Sequence, residues 1–246
     1  MQRYARWLPG ALVLATVAVL AGCGSAPGKT ADTVSADNAS VDAGKAEAVM
    51  SKGTLLKYST QGNKDGYFHS FWTDTHGKVT MTLEGDGVYS CEWNGVNNWV
   101  GGTGWKPGAT RVVAYESDYK PEGNSYLALY GWTRNPLIEY YVVEAWGSWR
   151  PPGGSPVGMV ESDGGVYDIY TTQRVNQPSI EGTRTFTQFW SVRRSKQTSG
   201  IITIKNHFDA WEAFGMKLGR HDYQIMATEG YQSAGRARVS VREVTE

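Results

Sequence analysis

From about residue 54 onward, apolar and polar residues alternate in short runs, which are separated by clusters of Gly, Pro, Asn and Asp. An alternation with a period of two is typical of β-strands that have one buried and one exposed face. Many short strands with such turns favour a sandwich, jelly roll or barrel. The predicted strands are Gly66–Trp72, Lys78–Leu83, Val88–Trp93, Thr110–Tyr115, Ser125–Trp132, Ile138–Trp146, Gly165–Thr172, Arg184–Val192, Gly200–Lys205, Asp222–Ala227 and Arg236–Val241.

One segment follows a different period. Between Phe208 and Leu218, apolar residues and a glycine recur at spacings of three and four, which predicts a single helix. We expect the helix to begin near Asn206 or Asp209, since both residue types cap helices well. Gly219 is the expected stop at its C-terminal end.

The charge balance gives no support to nucleic acid or an anionic membrane surface as a partner. Lys and Arg total 24, and so do Asp and Glu. The chain also has 10 Trp and 14 Tyr, which can supply both a core and flat surfaces with polar edges for sugar rings. A neutral substrate fits this charge balance better than a charged one.

Two glutamates lie among tyrosines on predicted strands. Alternation places Tyr141 on the same face as Glu139, and Tyr223 and Tyr231 on the same face as Glu229. Glu144 falls on the opposite face of its strand and is expected to be structural. Two carboxyls in an aromatic cleft are the minimum set of catalytic groups for cleaving a glycosidic bond.

Several motifs follow one another along the chain. They are Tyr-Phe-His-Ser-Phe-Trp-Thr-Asp at 67–74, Leu-Tyr-Gly-Trp-Thr-Arg-Asn-Pro-Leu-Ile-Glu-Tyr-Tyr-Val-Val at 129–143, Gln-Pro-Ser-Ile-Glu-Gly-Thr at 177–183, Thr-Phe-Thr-Gln-Phe-Trp-Ser-Val-Arg at 185–193 and Asp-Tyr-Gln-Ile-Met-Ala-Thr-Glu-Gly-Tyr-Gln-Ser at 222–233. In this order they resemble glycoside hydrolase family 11, the endo-β-1,4-xylanases, from about residue 55 to about residue 241. The resemblance implies an all-β jelly roll of two twisted antiparallel sheets with a single α-helix, a concanavalin-like sandwich.

The resemblance also implies roles for individual residues. Glu139 would be the nucleophile of a retaining reaction and Glu229 the general acid/base. Tyr130 and Tyr141 would flank Glu139, and Asn98 would lie beside Glu229. The other residues implied to bind xylan or xylo-oligosaccharide are Trp72, Arg174, Gln188, Tyr223, Tyr231 and the tip of a thumb loop at 177–183, formed by Pro178, Ser179 and Ile180.

No cofactor is expected. The four histidines show no metal-ligand spacing, which predicts that no metal is bound. Two alternatives stay open: a β-1,4-glucanase on a related jelly roll, and a non-catalytic xylan-binding lipoprotein. The Pro-Ser-Ile thumb argues against the first, and the presence of both glutamates argues against the second.

The N-terminal segment has the pattern of an export signal. Arg3 and Arg6 precede the apolar run Ala11–Ala21, which is too short to span a bilayer comfortably. The run ends in Leu-Ala-Gly-Cys, which resembles a bacterial lipobox and predicts a lipid on Cys23. An ordinary secretory signal with an incidental cysteine is the alternative.

These features predict a three-part organisation. Residues 1–22 would be a lipoprotein signal peptide, 23–52 a flexible polar tether, and 53–246 the xylanase catalytic domain. The protein would be exported to the cell surface or the medium as a monomer, with the lipid on Cys23 as its only membrane attachment. Cys91 would then have no partner, and the domain would fold without a disulfide.

Overall fold

The computed structural model describes residues 53–245, so the predicted signal peptide, the tether and Cys23 lie outside the described residues. Within the described part, no helix has the length and apolar character needed to cross a membrane. The elements are β1 (Thr54–Leu56), β2 (Thr60–Lys64), β3 (Tyr67–Thr73), β4 (Val79–Gly85), β5 (Val88–Trp105), β6 (Val112–Arg134), β7 (Ile138–Trp146), β8 (Gly158–Ser162), β9 (Gly165–Ser179), β10 (Gly182–Arg193), β11 (Ser199–Thr203), α1 (Ile204–Ala213) and β12 (Arg220–Glu243).

The strands form a 12-stranded sheet in the order β1-β4-β5-β12-β6-β7-β10-β9-β8, and β3 and β11 pair with β5 and β6. The sheet folds into two layers because β5, β6 and β12 are long enough to run through both. For example, β5 pairs with β4 through Val88–Trp93 and with β3 through Trp99–Gly104. The jelly-roll prediction is confirmed, and the structure adds one parallel pair, β7 with β10.

The long strands explain where the predicted boundaries were wrong. The predicted runs Thr110–Tyr115 and Ser125–Trp132 belong to one strand, β6. The pattern separated them because the intervening residues 116–124 are mostly exposed and polar. The last two predicted strands likewise form the single strand β12, which contains a register shift between Ser233 and Ala234. A bulge of this kind bends a strand and interrupts its alternation. The pattern therefore detects the two ends of each long strand and misses the bend.

The predicted helix is confirmed as the only one within residues 53–245, but its ends differ from the prediction. It begins at Ile204 after the N-cap residue Thr203, which makes no side-chain cap of its own. Instead the Asp163 carboxylate accepts hydrogen bonds from the Thr203 amide at 2.8 Å and from its hydroxyl at 2.7 Å. The chain leaves the helix at Gly215, whose φ of 76° is favourable for glycine, rather than at Gly219. A contact from a distant turn, between β8 and β9, thus sets the start of the helix.

Strand alternation separates two apolar clusters. On β7, Tyr140 and Val142 belong to the core between the layers, where α1 contributes Trp211. The neighbouring residues Tyr141 and Val143 belong to a second cluster on the opposite face. We call this second surface the cleft face, and it carries the two glutamates singled out in the sequence. The thiol of Cys91 is buried and forms no disulfide within residues 53–245.

Candidate active site

Glu139 is buried on the cleft face, and three side chains donate hydrogen bonds to its carboxylate. The hydroxyls of Tyr130 and Tyr141 lie 2.7 and 3.1 Å from Oε1. The Gln188 amide nitrogen lies 2.6 Å from Oε2. The strand register explains this set, since Gln188 is aligned with Glu139 across β7 and β10, and Tyr130 with Tyr141 across β6 and β7.

Other residues, which the sequence did not assign to the site, orient these donors. Thr172 donates to the Gln188 amide oxygen at 2.8 Å and accepts from Trp190 Nε1 at 2.9 Å. The Trp190 ring stacks on Tyr141 with ring centroids 4.0 Å apart and 5° between planes. The face shared by Gln188 and Trp190 was readable from alternation, but the contact with Thr172 depends on the pairing of β9 with β10. The donors are therefore fixed by their neighbours as well as by Glu139.

Glu229 lies on β12, aligned with Val100 on β5 and Tyr126 on β6. Its backbone carbonyl accepts a hydrogen bond from the Ser125 hydroxyl at 2.6 Å, which fixes the strand at this position. The carboxyl oxygen Oε2 is buried and has no hydrogen-bond partner among the described residues. An unpartnered buried oxygen is costly if charged, so the protonated form is favoured.

The environment gives the two carboxyls different proton affinities. Burial raises the pKa of Glu139, while the three hydrogen-bond donors and the charge of Arg174 oppose that rise. Burial and, second, the negative charge of Glu139 raise the pKa of Glu229 to about 8. The Tyr141 hydroxyl also stabilises the ionised form of Glu229, so this one residue acts on both carboxyls. The three donors therefore favour the ionised form of Glu139, whereas burial and the charge of Glu139 favour the protonated form of Glu229.

Asn98 and Trp72 lie on the strands next to Glu229. Asn98 is aligned with Tyr231, two positions from the alignment of Val100 with Glu229, so its side chain is on the same face as Glu229. Its Oδ1 atom is buried without a hydrogen-bond partner among residues 53–245. Trp72 is half-buried on β3, aligned with Val100. Both residues line the cleft beside Glu229.

The predicted thumb is the turn between β9 and β10. The Ser179 hydroxyl donates to the Gly182 carbonyl at 2.6 Å and accepts from the Glu181 amide at 3.0 Å, which stabilises the turn. Ile180 packs against the apolar cluster of the cleft face, whereas Pro178 is exposed. The thumb thus presents one apolar side chain to the cleft.

The remaining predicted residues differ in exposure. Tyr223 is buried, with its ring centroid 5.3 Å from that of Phe68 and 6.1 Å from that of Tyr130. Tyr231 is 44% exposed at the end of the cleft. Arg174 is exposed, and its charge opposes the rise in pKa that burial causes at both glutamates. The structure therefore brings all of them to the cleft face or its edge, with Tyr223 as part of the floor.

No group of three or more His, Cys, Asp or Glu side chains within the described residues is arranged to hold a metal ion. The expectation of no metal and no cofactor stays a prediction. The donors around Glu139 are hydroxyls and an amide, a set suited to stabilising a carboxylate. The chemistry that this site supports is acid/base and nucleophilic catalysis by two carboxyls.

Comparison with known proteins agrees with this geometry. The model of the family "Glycosyl hydrolases family 11" matches residues 64–240. The chain is 52% identical over 187 residues to a probable endo-1,4-beta-xylanase B from Aspergillus clavatus, covering 76% of this chain and 85% of that protein. It is 55% identical over 185 residues to ethylene-inducing xylanase 1 from Verticillium dahliae, covering 74% and 83%. It is 52% identical over 193 residues to endo-1,4-beta-xylanase 11B from Humicola insolens, covering 78% of this chain and 66% of that relative.

Proposed function

This chain belongs to glycosyl hydrolase family 11, and we propose that Glu139 and Glu229 carry out its endo-hydrolysis of β-1,4-xylosidic bonds in xylan by retaining double displacement. The xylanase activity follows from the family and from relatives more than half identical to this chain. The observation that carries the assignment of the two residues is the contrast between their carboxyls. One accepts hydrogen bonds from three donors, which favour its ionised form, and the other has an oxygen without a partner among the described residues and a pKa of about 8.

The first step uses both carboxyls at once. A Glu139 oxygen attacks the anomeric carbon, while Glu229 gives its proton to the departing glycosidic oxygen. A covalent glycosyl-enzyme forms, and the aglycone leaves as an alcohol. The donors from Tyr130, Tyr141 and Gln188 keep Glu139 ionised and fix the direction in which its oxygens point.

The second step follows from the loss of the charge on Glu139. Once this carboxyl is an ester, the repulsion that raised the pKa of Glu229 is gone, and its pKa falls. Glu229, now ionised, accepts a proton from the incoming water, and the water oxygen attacks the anomeric carbon. Glu139 is released as a carboxylate, and the product keeps the β configuration.

We assign substrate binding to the side chains that surround these two groups on the cleft face. Trp72 and Tyr231 offer ring faces for xylose units, and Ile180 offers an apolar contact from the thumb. Asn98 and Arg174 supply polar contacts on opposite sides of the carboxyls. A neutral chain with regular hydroxyls and one flat apolar face per sugar fits this combination.

The decisive experiment follows sugar release and product configuration together. The domain of residues 53–246 is incubated with unsubstituted xylan and, in parallel, with carboxymethyl cellulose. We expect reducing ends from xylan alone and, in early proton NMR spectra, β-anomers before mutarotation. α-Anomers would contradict double displacement, and preferential cleavage of the cellulose derivative would indicate a β-1,4-glucanase.

We also propose that residues 1–22 are a signal peptide, that Cys23 carries a lipid, and that residues 23–52 tether a monomeric domain outside the cell. The support is the basic and apolar N-terminal pattern that ends in Leu-Ala-Gly-Cys. The relatives named above come from fungi and lend no support to a bacterial anchor. Cys23→Ser should release the protein from membranes or leave it unprocessed, and unchanged membrane association would contradict lipidation.

A further inference from the structure

The outer part of the thumb hairpin has little strand support. β10 pairs with β7 only from Thr187 to Val192, so the preceding residues of β10 pair with β9 alone among the described strands. A register shift between Arg184 and Phe186 separates this outer hairpin from the sheet. An isolated two-stranded ribbon is marginally stable in water. The position of its tip over the cleft must therefore depend on side-chain contacts.

Arg134, the last residue of β6, makes the polar contacts between the thumb tip and the sheet. Its Nη1 lies 2.7 Å from Glu181 Oε1, and its Nη2 lies 3.4 Å from the Ile180 carbonyl oxygen. On the other side its Nε donates to Asp222 Oδ2 at 2.8 Å, and Lys106 lies 3.2 Å from the second oxygen of that carboxylate. The planar guanidinium can hold both partners because its donors point in fixed directions.

The same strand connects this contact to the proposed nucleophile. Tyr130, Trp132 and Arg134 lie on one face of β6, at a spacing of two residues. Tyr130 donates to Glu139, and Trp132 Nε1 donates to the Tyr130 hydroxyl at 2.6 Å. The Trp132 ring also packs on Phe186 at the base of the hairpin, with centroids 5.0 Å apart. Side chains on one face of β6 therefore contact both the proposed nucleophile and the thumb hairpin.

We propose that Arg134 is a positioning residue whose ion pair with Glu181 holds the thumb tip over a bound substrate chain. The side chains of Arg134 and Glu181 are 30% and 31% exposed, so solvent and salt screen their attraction. A contact of this strength breaks readily, which lets the thumb open to admit a polysaccharide and to release products. The proposal rests on the proposed xylanase function, because it assigns the ion pair to the same cleft.

Glu181→Gln tests the proposal, since it removes the charge and keeps the size of the side chain. With a neutral, unsubstituted xylo-oligosaccharide, we expect KM to rise about two- to fivefold while kcat changes less. Added sodium chloride should raise the KM of the unaltered protein toward that of the variant, whose own KM should not respond to salt. Hydrogen exchange should also become faster at the amides of residues 177–183 in the variant.

Asp209→Asn is the matched control, because Asp209 forms an exposed ion pair with Lys205 on α1 and loses the same charge. It should leave KM, its salt dependence and thumb exchange unchanged. If Glu181→Gln behaves like this control in all three measurements, the positioning role is wrong. If neither protein releases sugar but thumb exchange still becomes faster in Glu181→Gln, the proposed function fails while the ion pair remains the contact that holds the tip.

Discussion

Glu139 and Glu144 lie on the same strand, β7, on opposite faces, and both are buried glutamates that accept hydrogen bonds from two tyrosines. Glu144 is fully buried, and the hydroxyls of Tyr115 and Tyr167 donate to its two oxygens at 2.8 and 2.7 Å. Glu139 is also buried and also accepts two tyrosine hydroxyls. Burial raises the pKa of both, that of Glu144 to about 7. Neither burial nor a raised pKa therefore distinguishes a catalytic carboxyl from a structural one.

The two glutamates differ in their third hydrogen-bonding or ionic partner, and Glu139 shares the cleft face with a second carboxyl. Glu144 has the guanidinium of Arg193 at 3.7 Å, and Arg193 is itself buried and bonded to Tyr167. Glu139 has a neutral amide in that place, and its negative charge raises the pKa of a second carboxyl, that of Glu229. A buried glutamate that is paired with an arginine stabilises the fold and is not placed to reach a substrate. A glutamate beside another acid on a cleft face can exchange protons and attack a substrate.

The comparison is tested most strongly by the same substitution at both positions. Glu139→Gln should lower kcat on xylan by about 10⁴-fold or more, because the amide cannot form the glycosyl-enzyme. Glu144→Gln should keep kcat within about tenfold, since its side chain faces the core. Reducing-sugar assays under saturating xylan measure both, and circular dichroism verifies that each variant is folded. A Glu139→Gln enzyme with full turnover would show that the nucleophile lies elsewhere.

The sequence could predict the parts of this site that depend on one strand at a time. Alternation placed Tyr141 on the face of Glu139 and Glu144 on the opposite face, because the face of a side chain is set by its own strand. The bond from Gln188 to Glu139 depends on the parallel register of β7 with β10, which no local pattern contains. That residue was found through the family resemblance, and Thr172, which no quoted motif contains, was not found.

The fold shows the same limit. The class and the single helix were predicted because short alternating runs and one helical period are local signals. The continuity of β6 was not predicted, because residues 116–124 are exposed or partly buried between two buried ends. The helix start was missed because Asp163, on a distant turn, binds the Thr203 backbone. Local pattern thus gives the elements, and tertiary pairing gives their ends and contacts.

For the stability of the protein, the order of the two glutamates should reverse. Glu144→Gln should lower the free energy of unfolding by about 3 kcal/mol, because Arg193 is left as a buried charge without its partner. Glu139→Gln should cost less, since the partners that it leaves are neutral hydroxyls and an amide rather than a buried charge. Urea unfolding followed by tryptophan fluorescence compares the two. Equal losses at both positions would mean that Arg193 does not distinguish the two environments.

The smallest expected effect is on the proton affinity of Glu229. Since its acid form is required for the first step, kcat/KM of the unaltered enzyme should fall as the pH rises through about 8, where that proton is lost.

Replacing Glu139 with Gln removes a neighbouring negative charge, so ionisation of Glu229 becomes easier and its pKa should fall by about one unit. Carbon NMR titration of glutamates labelled at the side-chain carboxyl measures this directly. Glu144→Gln is the control and should leave the pKa of Glu229 unchanged. If that pKa were the same in Glu139→Gln and in the unaltered protein, burial alone would raise it, and esterification of Glu139 could not convert Glu229 from acid to base.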